Sequence, residues 1–491
     1  MRLSVACNFD PALIEGLAGY PVYEVYGKVT EDFFGGGRPS FYLPHADRKV
    51  VADTVKLCHS KGIEFNYLLN ATCTSNLEFT SEGQRKLRET LDWVSGIGVD
   101  SITVANAYFL RVAKKCYPDL KVRISSHRYT DNPRKARFWA DAGADCIVVS
   151  EINIYRELEA LQAIRDSASC DLSLIVNNSC RQDCAIACSH AVSLNHGSQT
   201  AHGKRAMPLD YCFVECQRLK LDEPVNIIRA NWIRPEDLPI YERMGFDNFK
   251  IVERNSPTAV LLDRVKAYAR RRYDGNLMDL VQCYAYPYDK FGDRERDAFS
   301  LRRMFRYFFR PTDVNFLRFW QVVELGKFQG LLYPRMGENK VFVDNRALDG
   351  FMDRWPKGGC QHIDCETCRY CHDLAERAVR IDPAYRQTAL AQYDRLLDDL
   401  WGGRLWEGYG RTIREIASRG DLGRMALDMA ATLWEGVRLS RGEGRIETHR
   451  GNGNGGARKA AWTAQEVQTA ATGPSTTRRS PSASIRSPGP A

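Results

Sequence analysis

Three thiols at even four-residue steps raise the first question of chemistry. In NNSCRQDCAIACSHAVSLNH, residues 177–196, Cys180, Cys184 and Cys188 follow closely on the apolar run DLSLIV. Free cysteine often packs as a small hydrophobe, but Arg181, Gln182 and Asp183 interrupt the apolar pattern here. On a helix, residues four apart are separated by about 6 Å along the axis and lie nearly on one face. Neighbouring members of the series can then share one small cluster, whereas the outer two cannot unless the helix breaks. Two of the three are therefore expected as ligands, completed by distant residues. DYCFVECQ offers the completion, with Cys212 and Cys216 repeating the spacing after a loop that holds His196 and His202. Two C-x3-C pairs provide four thiolates, the set that suits a [4Fe-4S] cluster. Structural zinc also accepts four cysteines, though its common finger pairs lie closer, and unliganded thiols are a third reading. His190 and His196 are expected as hydrogen-bonded loop residues.

A second group, CQHIDCETCRYCHDLAERAVRI, contains Cys360, Cys365, Cys368 and Cys371. Its last three cysteines repeat the C-x2-C-x2-C opening of bacterial ferredoxins, with Ala375 where that run places its fourth thiolate. Cys360 can supply the missing ligand from upstream. The spacing predicts a metal site, either a second iron-sulfur centre or zinc with His362 or His372 as substitute ligands. Radical S-adenosylmethionine enzymes use C-x3-C-x2-C close to a first barrel strand, and neither group here has that pattern in that place. Cys58, Cys116 and Cys146 sit in apolar-periodic surroundings and are expected in the core.

Elements must hold these thiols in place. Short β-rich runs at 3–8, 22–28, 64–70, 101–106, 121–126, 146–151, 171–178 and 249–254 alternate with helical stretches, which predicts a parallel (β/α)8 barrel of the TIM type. An open doubly wound sheet is the alternative. The helical stretches after the second and fifth runs stop at Gly62 and Gly143, as helices prefer. A ninth run, VNIIRA (225–230), is read as an accessory strand between the seventh and eighth. Several runs end on polar residues: Asn8, Asn70, Asn106, Ser126 with His127, Glu151, Asn177 with Asn178, and Arg254 after Lys250. In a closed barrel those ends converge on one mouth, where barrel enzymes do their chemistry.

At 491 residues the chain exceeds the usual single-core limit. The predicted division is a barrel over 1–283 with a cysteine-rich insertion at 177–220, a mainly helical module over 284–440, and a disordered basic tail over 441–491. The module's LRRMFRYFFRP (301–311) suits an amphipathic helix with aromatics inward and arginines outward, and base stacking is the alternative. The net charge of +8 divides unevenly: the tail carries eight Lys/Arg against three Asp/Glu, leaving the body nearly balanced. Global charge thus argues little for a nucleic-acid partner. No run of 18 apolar residues occurs, and no signal-like stretch precedes Asp10, so a cytoplasmic protein without a membrane partner is expected. In that compartment clustered cysteines hold metal or do chemistry more often than they form disulfides.

The barrel pattern, SSHRYTDNP, SEINIYRELEAL, the cysteines just after the seventh run and NWIRPEDLPIYERMGFDNFKIVERNSPTAVLLDRVKAYARRRYDG together resemble the U32 collagenase-like peptidase family. The resemblance spans about residues 1–285 and is strongest from Asn231 to Gly275. It implies a TIM-type barrel with a [4Fe-4S] cluster on cysteines from the segment after strand seven. Cys180 matches the family's first thiol, Cys212 and Cys216 its later C-x3-C, and Glu151, Lys250 and Arg254 its polar positions at strand ends. Where the family often has C-x6-C, this chain has C-x3-C-x3-C, so Cys184 and Cys188 compete for one ligand place. Some members carry a protease label; others resemble oxygen-independent hydroxylation factors or enzymes that modify RNA bases. The expected activity is redox tailoring of a small molecule or nucleobase, with Lys250 and Arg254 binding an anionic group and Glu151 acting as acid or base. The alternatives are a peptidase, or an iron-sulfur scaffold paired with an electron donor or partner subunit. No H-E-x-x-H helix and no G-x-S-x-G elbow is present.

Overall fold

Eight short runs of aliphatic and β-branched residues, buried along most of their length, form the centre of the molecule, as a parallel sheet covered by helices requires. They are β1 (Arg2–Ala6), β2 (Val22–Gly27), β3 (Glu64–Leu69), β4 (Ser101–Val104), β5 (Lys121–Ile124), β6 (Cys146–Val148), β7 (Asp171–Ile175) and β8 (Asn248–Ile251). Each pairs in parallel with the next, and β8 returns to β1 through Leu3↔Phe249 and Ser4↔Lys250, closing the barrel. The expected TIM-type barrel is present, on the eight expected runs. The structure, a computed structural model, describes residues 1–201, 209–281, 309–328, 340–357, 359–361 and 363–440, all within the unit Met1–Glu443.

The outer helices start and stop where local chemistry dictates. Arg48–Ser60 begins beneath Asp47, whose side chain accepts from the Val50 N–H, and is followed by Gly62 at φ +69°. Pro133–Asp141 is capped by Asn132 and followed by Gly143 at φ +99°. The ninth apolar run is not a strand: Val225–Ile228 is one helical turn after Pro224, with all four side chains buried. A short apolar run surrounded by protein on every side carries no periodicity that separates strand from helix.

The barrel interior is more polar than the strand pattern suggests. Glu24 accepts from Ser4 Oγ at 2.6 Å and pairs with Arg123 at 2.7 Å, and Asn66 and Ser101 donate to its other oxygen. Arg123 also donates to the Tyr23 hydroxyl at 2.8 Å. A buried ion pair is tolerated only when the surrounding lone pairs and protons are satisfied in this way.

After the barrel, the helices Phe316–Phe328, Pro383–Trp401, Tyr409–Ser418 and Leu422–Ser440 agree with a mainly helical character. The sequence pattern missed an antiparallel pair, β9 (Val341–Val343) with β10 (Val379–Ile381), whose three-residue strands are too short to show alternation. Pro383–Trp401 lies against Tyr211–Asp222, where Arg218 pairs with Asp394 at 2.7 Å and Arg386 donates to the Leu221 carbonyl at 2.7 Å. Most of LRRMFRYFFRP, the 441–491 tail, His202, Cys283 and His362 lie outside the described residues. Cys58 and Cys146 are buried as expected, whereas Cys116, at the end of the helix Ala107–Cys116, is exposed. Among the described residues no helix is long and apolar enough to cross a membrane.

Candidate functional site at the barrel mouth

A cavity of about 170 Å³ opens beyond the C-terminal ends of the strands. Its wall includes Cys180, Cys184, Cys212 and Cys216 together with Glu151, Lys250 and Arg254. Two elements bring the thiols together. Cys212 and Cys216 lie one turn apart on the helix Tyr211–Asp222, as the spacing implies. Cys180 and Cys184 are not on a helix: they occupy a turn between β7 and the helix Ala187–His196. Asn178 Oδ1 accepts from the Cys180 N–H at 3.0 Å, and Asp183 takes φ +49°. Such a side-chain turn competes with helix formation, which is why the even spacing misleads here. Cys188, inside the helix Ala187–His196, is exposed and takes no part in the cavity wall.

Cys180, Cys184 and Cys212 are held against ionisation. Burial, with Glu151 and Cys216 nearby, pushes Cys180 up to about 12, and burial with Asp210 and Cys184 pushes Cys212 up to about 11. A bound cation reverses that preference, because a coordinating thiol is deprotonated outright. Among the described residues no three His, Cys, Asp or Glu side chains stand close enough to share a single ion. Thiolates that bind separate irons of a cubane stand further apart than four that surround one ion. Four thiols lining one cavity suit a cluster by number and chemistry.

The same cavity carries acid and base. Glu151, just past β6, is 6% exposed, and its Oε2 has no hydrogen-bond partner. Burial raises its pKa to about 7, against a weaker lowering by hydrogen bonds from its own backbone and Ser126. Lys250 on β8 is lowered to about 8, chiefly by burial, and its Nζ lies 3.7 Å from the centre of the Tyr26 ring. Arg254 follows in the loop after β8. A proton-exchanging carboxyl beside two cationic side chains can bind an anionic group and move a proton next to it.

The polar strand ends divide into two kinds. Asn70, Ser126, His127 and Asn178 face the cavity. Asn8, Asn106 and Asn177 do local work: Asn8 donates to the Ser256 carbonyl, Asn106 caps the helix Ala107–Cys116, and Asn177 bridges to Val252. Sequence reasoning missed Arg38, Tyr26 and Tyr129, and placed no function on the His190–Asp210 pair at 2.9 Å, all of which line the cavity. The glycine run FFGGGR was the available signal for Arg38. A Cβ on Gly37 would lie 2.8 Å from His127 Cε1 and 3.0 Å from Asn70 Nδ2, so only glycine lets that loop close on the mouth.

Cys360, Cys365, Cys368 and Cys371 line a separate cavity of about 30 Å³ together with His372. Cys365 and Cys368 bracket the single turn Cys365–Cys368, Arg369 reverses the chain at φ +51°, and Cys371 lies in the first turn of Tyr370–Ala378.

A closed parallel barrel with a cavity at the C-terminal ends of its strands is the TIM-type architecture. Residues 45–220 match the model of peptidase family U32, and that span stops short of the Asn231–Gly275 stretch. The chain is 28% identical over 359 residues to the "Uncharacterized protease MJ1657" of Methanocaldococcus jannaschii, covering 73% of this chain and 89% of that protein. Among solved structures, the U32 peptidase Mk0906 is 23% identical with a TM-score of 0.40, covering 52% of this chain and 94% of its own. Over residues 45–220 the chain is thus similar to peptidase family U32.

Proposed function

We propose that this chain is an iron-sulfur enzyme that tailors a small molecule or nucleobase at the barrel mouth, by oxygen-independent hydroxylation or a related redox reaction. The observation that carries the reading is one cavity lined by four thiols, a buried carboxyl and two cationic side chains. Cys180, Cys184, Cys212 and Cys216 are the four residues that would hold a [4Fe-4S] cluster, and the exposed Cys188 is left out. When bound, the cluster supplies one-electron chemistry, tuned by its burial and hydrogen bonding.

The chain's own residues do the rest. Lys250 and Arg254 bind an anionic group of the substrate, a carboxylate or a phosphate, and so fix which atom faces the thiol wall. Glu151, with a pKa near 7, takes or returns a proton at Oε2 without a large energetic penalty in either direction. Tyr26, stacked beneath the Lys250 ammonium, keeps that cation aimed into the cavity.

Peptide hydrolysis is the second reading, favoured by the family's description and by the name of the M. jannaschii relative. One experiment separates the two. Anaerobically purified protein is assayed for iron and acid-labile sulfide, then for peptide cleavage before and after iron is chelated. About four iron and four sulfide at the mouth, lost in Cys180→Ser, support the redox reading. Colourless protein that cleaves peptide equally well after chelation overturns it in favour of hydrolysis.

A further inference from the structure

The second cysteine cavity contains a feature that a merely structural group of thiols leaves unexplained. Arg156, 3% exposed, is held by the Ile228 and Ala230 carbonyls at 3.0 and 2.6 Å and lies over the rings of Trp232, Phe351 and Trp355. Among the described residues no carboxylate stands within ion-pair distance of its guanidinium. A buried cation without a counter-charge is costly, and natural interiors rarely leave one so. Among the groups whose charge acts on Arg156, Cys371, Tyr241 and Cys360 come ahead of Asp237, a carboxylate that already pairs with Arg234 at 2.9 Å. If those cysteines are thiolates on a metal centre of net negative charge, the missing counter-ion is supplied.

The loop that presents Cys360 is fixed to the barrel. Glu157 Oε1 accepts from the Cys360 and Gln361 N–H groups at 2.5 and 3.2 Å. A Cβ on Gly359 would lie 1.6 Å from Glu157 Oε2, so this carboxylate reaches the loop only past a glycine. The neighbouring turn and helix deliver Cys365, Cys368 and Cys371 to the same small cavity, walled by Trp355 and Tyr370.

We infer that Cys360, Cys365, Cys368 and Cys371 hold a second iron-sulfur centre, with Arg156 as its buried counter-ion, placed to exchange single electrons with the mouth. The path is short. The Asn231 N–H donates to the Cys180 carbonyl at 3.0 Å, and two residues earlier Arg229 lines the second cavity and reaches His372 Nε2 at 3.3 Å. Two residues of extended chain span at most about 7 Å. In the exchange one centre loses one electron and the other gains it; no bond forms or breaks. The exchange rests on the proposed cluster at the mouth, whereas the second site does not.

The test is anaerobic iron and sulfide analysis with electron paramagnetic resonance, on full-length wild type, Cys180→Ser, Cys368→Ser and Arg156→Gln. Wild type is expected to hold roughly eight iron and eight sulfide, and each cysteine variant roughly half, each keeping the other's signal. Dithionite-reduced wild type should show spin-spin splitting that both cysteine variants lack. Arg156→Gln should keep the second signal while its reduction potential moves to more negative values, because the added electron loses a neighbouring positive charge. Full iron in Cys368→Ser, or one zinc per chain lost with that substitution, overturns the second centre. Two unsplit signals overturn the electron exchange and leave the site standing. About four iron per chain, unaffected by Cys180→Ser and abolished by Cys368→Ser, fails the mouth reading alone.

Discussion

The two cysteine cavities use the same donors for different ends. At the mouth, four thiols share a cavity of about 170 Å³ with a carboxyl, a lysine and an arginine. In the second site the four thiols share about 30 Å³ with the Trp355 and Tyr370 rings, and among the described residues no carboxylate lines that cavity. Space beside the sulfurs is what distinguishes a place for reaction from a place for storage, and thiol count alone cannot tell them apart.

The sharpest way to break this contrast is at the thiols. Cys180→Ser or Cys212→Ser should abolish iron at the mouth and lower turnover at least about 100-fold, while Cys188→Ser changes neither. Equal iron loss in Cys188→Ser would make the turn, rather than the cavity, the relevant unit. Glu151→Gln comes next, with turnover expected to fall about 10²- to 10⁴-fold.

The same substitution has an opposite effect on stability. The folded Glu151 carboxyl holds its proton more tightly than the unfolded one, from the ordinary 4.5 up to about 7. Its cost to the fold is therefore absent below pH 4.5, grows as pH rises toward 7 and is complete above. Urea unfolding of Glu151→Gln should show a gain of roughly 3 kcal/mol at pH 8 and almost none at pH 4. A gain that does not vary with pH would mean that packing, not protonation, is responsible.

Lys250→Met should weaken substrate binding about tenfold to 100-fold, read in KM with little change in kcat if the lysine only anchors an anionic group. A fall confined to kcat would instead assign Lys250 to the reacting atoms. Smallest is Gly359→Ala, which forces the Glu157 carboxylate aside. A loss of about 1–3 kcal/mol is expected, with metal released from the second site and mouth activity retained when assayed with a chemical reductant. Simultaneous loss at both sites would show that the two cavities are one structural unit.

The sequence was legible where physics is local. All eight barrel strands lie on their expected runs, because each is a short β-rich segment bounded by turns and capped helices. The second cysteine group lines one cavity, since its spacing is compressed into twelve residues and needs no distant partner to gather it. The first group was half legible. Even steps of four suggested one helix, but the Asn178 side-chain turn and positive-φ Asp183 separate Cys184 from Cys188. Nothing in a one-dimensional pattern weighs a side-chain hydrogen bond against a helical turn. The interior Glu24–Arg123 network was hidden for a related reason: its members lie on separate strands and meet only when the barrel closes. Nothing in the sequence singles out Arg156, and only the fold surrounds it with indole and phenyl rings.

The stretch Ile228–Trp232 acts as a septum. One side of it holds the Cys180 carbonyl, the other the His372 ring, and its own carbonyls clasp Arg156. A wall five residues thick with fixed bonds on both faces cannot bend toward one chamber without withdrawing from the other. Amide exchange along it should therefore slow or quicken as a block, reporting the contents of both chambers at once.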